Sequence, residues 1–393
     1  MKSAKIILGS ASLLISLLIC EAVLGWLKPQ LYRRPQVWQF DEVLGWEHIP
    51  GATGWLVKPE FEVEYRINGA GLRDWDYGRK RLEKGMRLLV MGDSFAEGWG
   101  VQLAESVSKQ LEKKLQNIAS QKKFEVLNFG VAGYGTDQEM LLFEQLGRSY
   151  QPNLVLVLFY VNDLINNANR QGIGAERGYK PYFRVGRDGG LQLRGVPVRK
   201  TPFWDRAYWD ARPWHERLLR HMGRQWHLYA LISKSLAPEV PRVQRQKFYE
   251  TLYGARSNRS HEQMWELTGK LLEAFHAKVQ GAGARMLLVY VPAIVQVEEN
   301  NWRSKSDLLG LTGEFDLQKP NREIARLAAA YGIPLLDLYE GFKNLSKTGE
   351  PYYYRESHWN PHGHALAASL IGDFLVQKGH LLSNQIEVNG RAP

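Results

Sequence analysis

The stretch LLVMGDSFAEGWG (residues 88–100) runs from the apolar Leu88, Leu89, Val90 and Met91 straight into Gly92, Asp93 and Ser94. A buried strand that ends on a small polar corner has two readings. Asp and Ser both cap helices by accepting backbone N–H groups. A hydroxyl at the carboxyl end of a strand is also where an open α/β sheet presents its chemistry. The residues just after the other strands separate the two.

Further apolar runs resemble the first: FEVLNFG (124–130), NLVLVLFYVND (153–163), ARMLLVYVP (284–292) and IPLLDLY (333–339). Helical patterns lie between and after them, over roughly 102–119, 137–148, 262–281, 320–331 and 361–378. Near-continuous apolar strands alternating with helices predict a parallel sheet covered on both faces. The expected fold is therefore α/β, with five parallel strands. Upstream, FEVEYRING (61–69) sets Phe61, Val63, Tyr65 and Ile67 against Glu62, Glu64 and Arg66, the alternation of a half-buried strand. The expected organisation is an apolar segment (1–27), a tether and small β-rich region (28–85), a catalytic domain (86–380) and a tail (381–393). An Arg- and Trp-rich insertion at about 165–260 reads as amphipathic helices, with its Trp side chains packed on the domain. The same insertion is a candidate cap over the site.

The chain has 393 residues and a net charge of +10, with one cysteine, Cys20, so no intrachain disulfide forms. A basic balance favours anionic surroundings. The Arg residues are dispersed and no nucleic-acid motif is present, so no nucleic-acid partner is expected. After Lys2 and Lys5, the first residues are apolar as far as Leu27, a length that spans a bilayer as a helix. A retained membrane anchor is the favoured reading; a cleaved secretory signal is the other. Lys28, Arg33 and Arg34 balance Lys2 and Lys5, so charge does not orient the segment. A short N-terminus inside and an exported domain is the simpler topology. Glu21 lies within the span and is expected to snorkel or pair.

The strand ends carry the functional signal. Ser94 follows the first run, Gly130, Gly133 and Gly135 follow the second, and Asn162 and Asp163 end the third. Glu356 and His358 follow the fifth after a loop. In such a sheet these loops meet at one edge. A serine, an exposed glycine backbone, an amide and a histidine are the parts of an acyl-transfer site. Asn360 and Pro361 suit the start of a helix, which places His358 on a fixed loop just ahead of it. No spacing of His, Cys, Asp or Glu argues for a metal, and no cofactor is expected.

GDS at 92–94, NFGVAG at 128–133, VND at 161–163 and ESHWNPHGH at 356–364 together resemble the blocks of the SGNH, or GDSL-type, hydrolase family. INGAGLRD (67–74) is similar to a segment upstream in its membrane-anchored bacterial members. The resemblance implies a three-layer α/β/α fold of the flavodoxin-like kind. It implies Ser94 as nucleophile and His358 as base, with an oxyanion hole formed by the Ser94 N–H, the Gly133 N–H and the Asn162 side chain. The family usually has Asp shortly before the histidine, whereas this chain has Glu356. Glu356 is the expected triad acid; an acid elsewhere or a Ser–His dyad are the alternatives. The implied activity is hydrolysis of short acyl esters, such as O-acetyl, of a carbohydrate or lipid outside the cytoplasm. An O-acyltransferase acting on an exported polysaccharide and an inactive tethered scaffold are the alternatives.

Overall fold

A computed structural model describes residues 2–378, apart from 81, 84, 120, 173–177, 206, 207, 209, 237–240 and 346–350. The expected tail, 381–393, lies outside the described residues.

Helix α1 (Lys2–Leu27) is a single apolar helix, long and apolar enough to cross a membrane over Lys5–Leu27. Two antiparallel pairs come next. Strand β1 (Trp38–Asp41) lies within the stretch read as tether and pairs with β2 (Gly45–His48). Strand β3 (Thr53–Lys58) pairs with β4 (Phe61–Arg66), whose residues alternate between buried and exposed as their polarity predicts.

The main sheet then begins with β5 (Gly85–Gly92), buried along its whole length, as a central parallel strand must be. Helices α2 (Ser94–Glu97) and α3 (Val107–Ile118) lead to β6 (Lys123–Gly130). Helix α4 (Thr136–Gln145) leads to β7 (Leu154–Tyr160), and α5 (Asp163–Ala168) comes after it. The insertion forms helices α6 (Trp214–Gln225), α7 (His227–Leu236) and α8 (Arg242–Tyr253), as its periodicity predicts. Ahead of them lies a hairpin, β8 (Tyr182–Val185) and β9 (Leu191–Arg194), too short for its pattern to announce. Two of the insertion's tryptophans do not pack as expected: Trp214 is 70% exposed and Trp226 40%. Helix α9 (Arg259–Gly281), β10 (Arg285–Val291), α10 (Lys319–Ala330), β11 (Leu335–Asp337) and α11 (Pro361–Gln377) complete the domain.

The five-stranded sheet has the order β11-β10-β7-β5-β6, parallel throughout. Helices α3 and α11 pack on each other in one layer; α4, α9 and α10 form the other. The three-layer α/β/α expectation therefore holds. The register sets Gly92 beside Gly130 on one side and Leu158 on the other, so β5 and β6 end together and β7 runs two residues further, to Tyr160.

That shared end is tightly filled. A Cβ on Gly130 would lie 2.0 Å from Glu97 N, because α2 rests directly on its backbone. Neither backbone has room to give. Gly130→Ala is expected to destabilise the protein by about 2–3 kcal/mol or more, the cost of overpacking a closed interior. A thermal melt reads this as a lower apparent Tm; an unchanged melt would show that α2 floats free of β6.

Candidate active site

Asp93 ends β5 and caps α2: its Oδ1 accepts from Phe95 N at 2.9 Å. Ser94 is the first residue of that helix. Both readings of the corner are thus true at once, the cap on one residue and the hydroxyl on the next. Ser94 Oγ lies 2.8 Å from His358 Nε2, although the two are far apart in the chain.

His358 is held from several directions. Asn360 caps α11, accepting from Gly363 N at 3.0 Å, and Pro361 opens the helix. Tyr354 N donates to His358 O, and Ser357 N to Tyr354 O, both at 2.8 Å. This turn puts Ser357 at φ +82°. A serine in the left-handed region carries about 1–2 kcal/mol of backbone strain. The imidazole lies among aromatic rings, 5.2 Å from Phe95 and 5.8 Å from Trp99 between centroids.

The bend at Ser357 returns the Glu356 carboxylate to the imidazole. Glu356 Oε1 lies 3.2 Å from His358 Nδ1, within ion-pair reach, but neither atom makes a well-directed hydrogen bond. The other oxygen, Oε2, contacts Lys58 Nζ from the end of β3. Lys58 also lies over the ring of Trp99, 5.2 Å from its centroid. The N-terminal hairpin is therefore a wall of this site. Sequence reading missed Lys58, because nothing in its local pattern distinguishes it from any strand-end lysine.

The structure brings Ser94, His358 and Glu356 together by direct contact. Asn162 joins them through Asp93, whose Oδ2 accepts from Asn162 Nδ2 at 3.0 Å. Gly133 is placed by strand adjacency, in the loop after β6, with a left-handed backbone at φ +83°. Behind them, Asp93, Asp137, Glu139 and Asp163 are buried, and Lys180 of the insertion pairs with Asp137. Burial and mutual repulsion push Glu139 and Asp163 well above the ordinary carboxylate range. Burial likewise raises Asp93. Among the described residues no group of His, Cys, Asp and Glu has the arrangement of a metal site.

Burial lowers the His358 pKa to about 4; Lys58 pushes the same way, while Asp93 and Glu97 oppose it. Burial first, then Arg34, lowers Lys58 to about 8, while Glu60 opposes.

A serine hydroxyl hydrogen-bonded to a histidine, at the carboxyl edge of a parallel α/β sheet, has the layout of a serine hydrolase. Residues 90–366 match the GDSL-like lipase/acylhydrolase family, and the chain belongs to that family. No curated protein matches it in sequence. Among solved structures, the acetyl xylan esterase AlAXEase is 14% identical, with 74% of this chain and 100% of that one covered and a TM-score of 0.40. TesA is 13% identical, with 74% and 98% covered and a TM-score of 0.36. A catalytic mutant of an acetylxylan esterase from Geobacillus stearothermophilus is 12% identical, with 76% and 97% covered and a TM-score of 0.39. Identity and TM-score are both too low for these likenesses to carry weight.

The His358 shift has a direct check. In an NMR titration, its imidazole is expected to stay neutral at pH 6 and to protonate near pH 4. Lys58→Met removes an opposing cation and moves that pKa upward. Stability follows the same sign. An unfolded histidine protonates near pH 6.5 and the folded one near 4, so the unfolded chain binds more protons between them. The His358 contribution is full above about pH 6.5 and is lost as pH falls towards 4. A folded-state pKa at or above 6.5 would contradict this.

Proposed function

We propose that the protein is a serine esterase that removes short acyl groups from a carbohydrate or lipid through an acyl-Ser94 intermediate. One observation carries the reading: Ser94 Oγ is 2.8 Å from His358 Nε2, on an imidazole whose pKa is depressed to about 4. The imidazole is therefore unprotonated at neutral pH, the form that a general base needs.

In this reading Ser94 Oγ attacks the ester carbonyl carbon and its proton passes to His358 Nε2. The Ser94 N–H, the Gly133 N–H and the Asn162 side chain donate to the oxyanion. The C–O bond to the alcohol breaks, and the departing oxygen takes the proton from His358. Water then attacks the acyl-enzyme by the same route and releases the acid. Glu356 faces Nδ1, fixes the ring's tautomer and stabilises the imidazolium that forms. Lys58 is a positioning residue that holds the far oxygen of Glu356. Helix α1 anchors the enzyme, and the catalytic domain lies on the outer side of the membrane.

The test is acyl release from acetylated glycans and from p-nitrophenyl esters of increasing chain length. Ser94→Ala is expected to lose turnover by several orders of magnitude, together with fluorophosphonate labelling. Asn162→Ala is expected to cost about 100- to 1000-fold. The acid limb of kcat/KM is expected near pH 4, where His358 of the free enzyme gains its proton. Unlabelled wild-type protein would remove the esterase reading. Acyl appearing on an added glycan in place of free acid would make it a transferase.

Glu356 has its own expectation. Glu356→Gln should depress kcat by orders of magnitude, as removal of a triad acid does. Lys58→Met should cost far less and be rescued by Lys58→Arg. A near-silent Glu356→Gln would leave a Ser–His dyad.

A further inference from the structure

The intramembrane carboxylate has an unexpected partner. Glu21 lies six residues before the end of α1, and its two oxygens accept from His227 N at 2.6 Å and Leu228 N at 2.7 Å. These amides open α7, which α1 therefore caps. His227 also accepts from Gln30 N, through Nδ1, at 2.9 Å. Its ring lies against Gly25, where a Cβ would come within 3.1 Å of an imidazole carbon. Helix α7 is thus tied on both sides of the point where α1 ends. Burying Glu21 alone in hydrocarbon would be costly, and the two amides offset that cost.

This junction fixes a depth. Glu21 sits about 9 Å short of the end of α1. A span that starts at Lys5 has risen about 24 Å at Glu21, which is the outer part of a hydrocarbon core about 30 Å thick. Helix α6 ends where α7 begins, and the two pack on each other. Along α6, Trp214, Leu218 and Met222 recur at four-residue intervals with Leu219 beside them, while Glu216 and Arg217 fall on the opposite face. The apolar face is not covered by the domain: Leu218 is 47% exposed and Leu219 44%. Leu236, at the end of α7, is 79% exposed. Exposed apolar residues scattered singly need no explanation, but these line adjoining helices at the mouth of an apolar span. In residues 202–236, Arg and Lys outnumber Asp and Glu two to one.

We propose that α6 and α7 lie on an anionic phospholipid surface, the one from which α1 emerges. Trp214, Leu218 and Leu219 enter the acyl boundary, and the net positive charge of the segment favours anionic headgroups. This inference rests on the reading of α1 as a retained span. It gives the insertion a role other than a cap: it sets the orientation of the catalytic domain over the membrane.

The test uses full-length protein with Cys20→Ser and Leu218→Cys, the new thiol carrying a nitrobenzoxadiazole dye. It is reconstituted in vesicles of phosphatidylcholine mixed with phosphatidylglycerol. A second label at Arg187→Cys, on the exposed β8–β9 turn, is the control. The dye at 218 is expected to emit further to the blue and to be quenched about threefold more by headgroup-level nitroxide lipid than the control. The difference should shrink in phosphatidylcholine alone. An unchanged melting curve of the labelled protein verifies its fold. Equal quenching at both positions, with the protein still resistant to carbonate, would overturn this inference and leave the anchor standing. Release by carbonate would overturn both. Cross-linking between copies through position 218, without lipid quenching, would assign the face to a second copy and overturn it too.

Discussion

The contact between α2 and Gly130 is the constraint on which the site depends. A four-residue helix has little stability of its own, since most of its amides and carbonyls lack intrahelical partners. It holds its place because Asp93 caps it and because β6 offers bare backbone beneath it. Its position sets Ser94 against His358, and Asp93 against Asn162. Three adjacent parallel strands supply the rest: β5 gives the serine, and its two neighbours lead into Gly133 and Asn162.

The N-terminal region closes this arrangement from above. Arg73 is fully buried and donates to the carbonyls of Glu97, Gly98, Val101 and Glu64. One guanidinium thus satisfies backbone acceptors of the loop after α2 and joins that loop to β4. Its neighbour Asp74 accepts from Asn128 N at 2.7 Å and pairs with Lys109 at 2.6 Å. The segment INGAGLRD (67–74) is therefore a brace between hairpin and sheet. Through the same hairpin Lys58 reaches Glu356, and Trp99 joins the small core formed by Val37, Leu56, Phe61, Val63 and Tyr65. The residues upstream of the family match help to shape its centre.

Polar burial is concentrated at this end of the sheet. Glu139 has no hydrogen-bond partner at either oxygen, and Asp163 lacks one at Oδ1. Such groups cost stability, and their raised pKa values are the physical response, since a proton removes the charge that burial penalises. The strained Ser357 adds to the cost. Departures from ideal packing at a site, supported by a well-ordered sheet elsewhere, are the common pattern in proteins that do chemistry.

The sequence by itself determined the five sheet strands, the helices between them, the cap at Asn360 and the pairing of Ser94 with a histidine near the C-terminus. Each is a local signal: apolar runs bury strands, periodicity buries a helix face, and strand ends in a parallel sheet share one edge. Only the tertiary structure decided which groups surround the pair. Lys58 and Glu356 meet because a hairpin and a loop about three quarters of the chain apart fold onto the same rim, and no local pattern encodes that. The missing aspartate was legible, but its substitute was not. Whether a longer side chain reaches the imidazole depends on the turn at Ser357, a backbone conformation that serine does not announce. The insertion shows the same division. Its helices were plain from their period, but the face that Trp214 presents was not, because amphipathicity says that a face seeks apolar cover and never what supplies it.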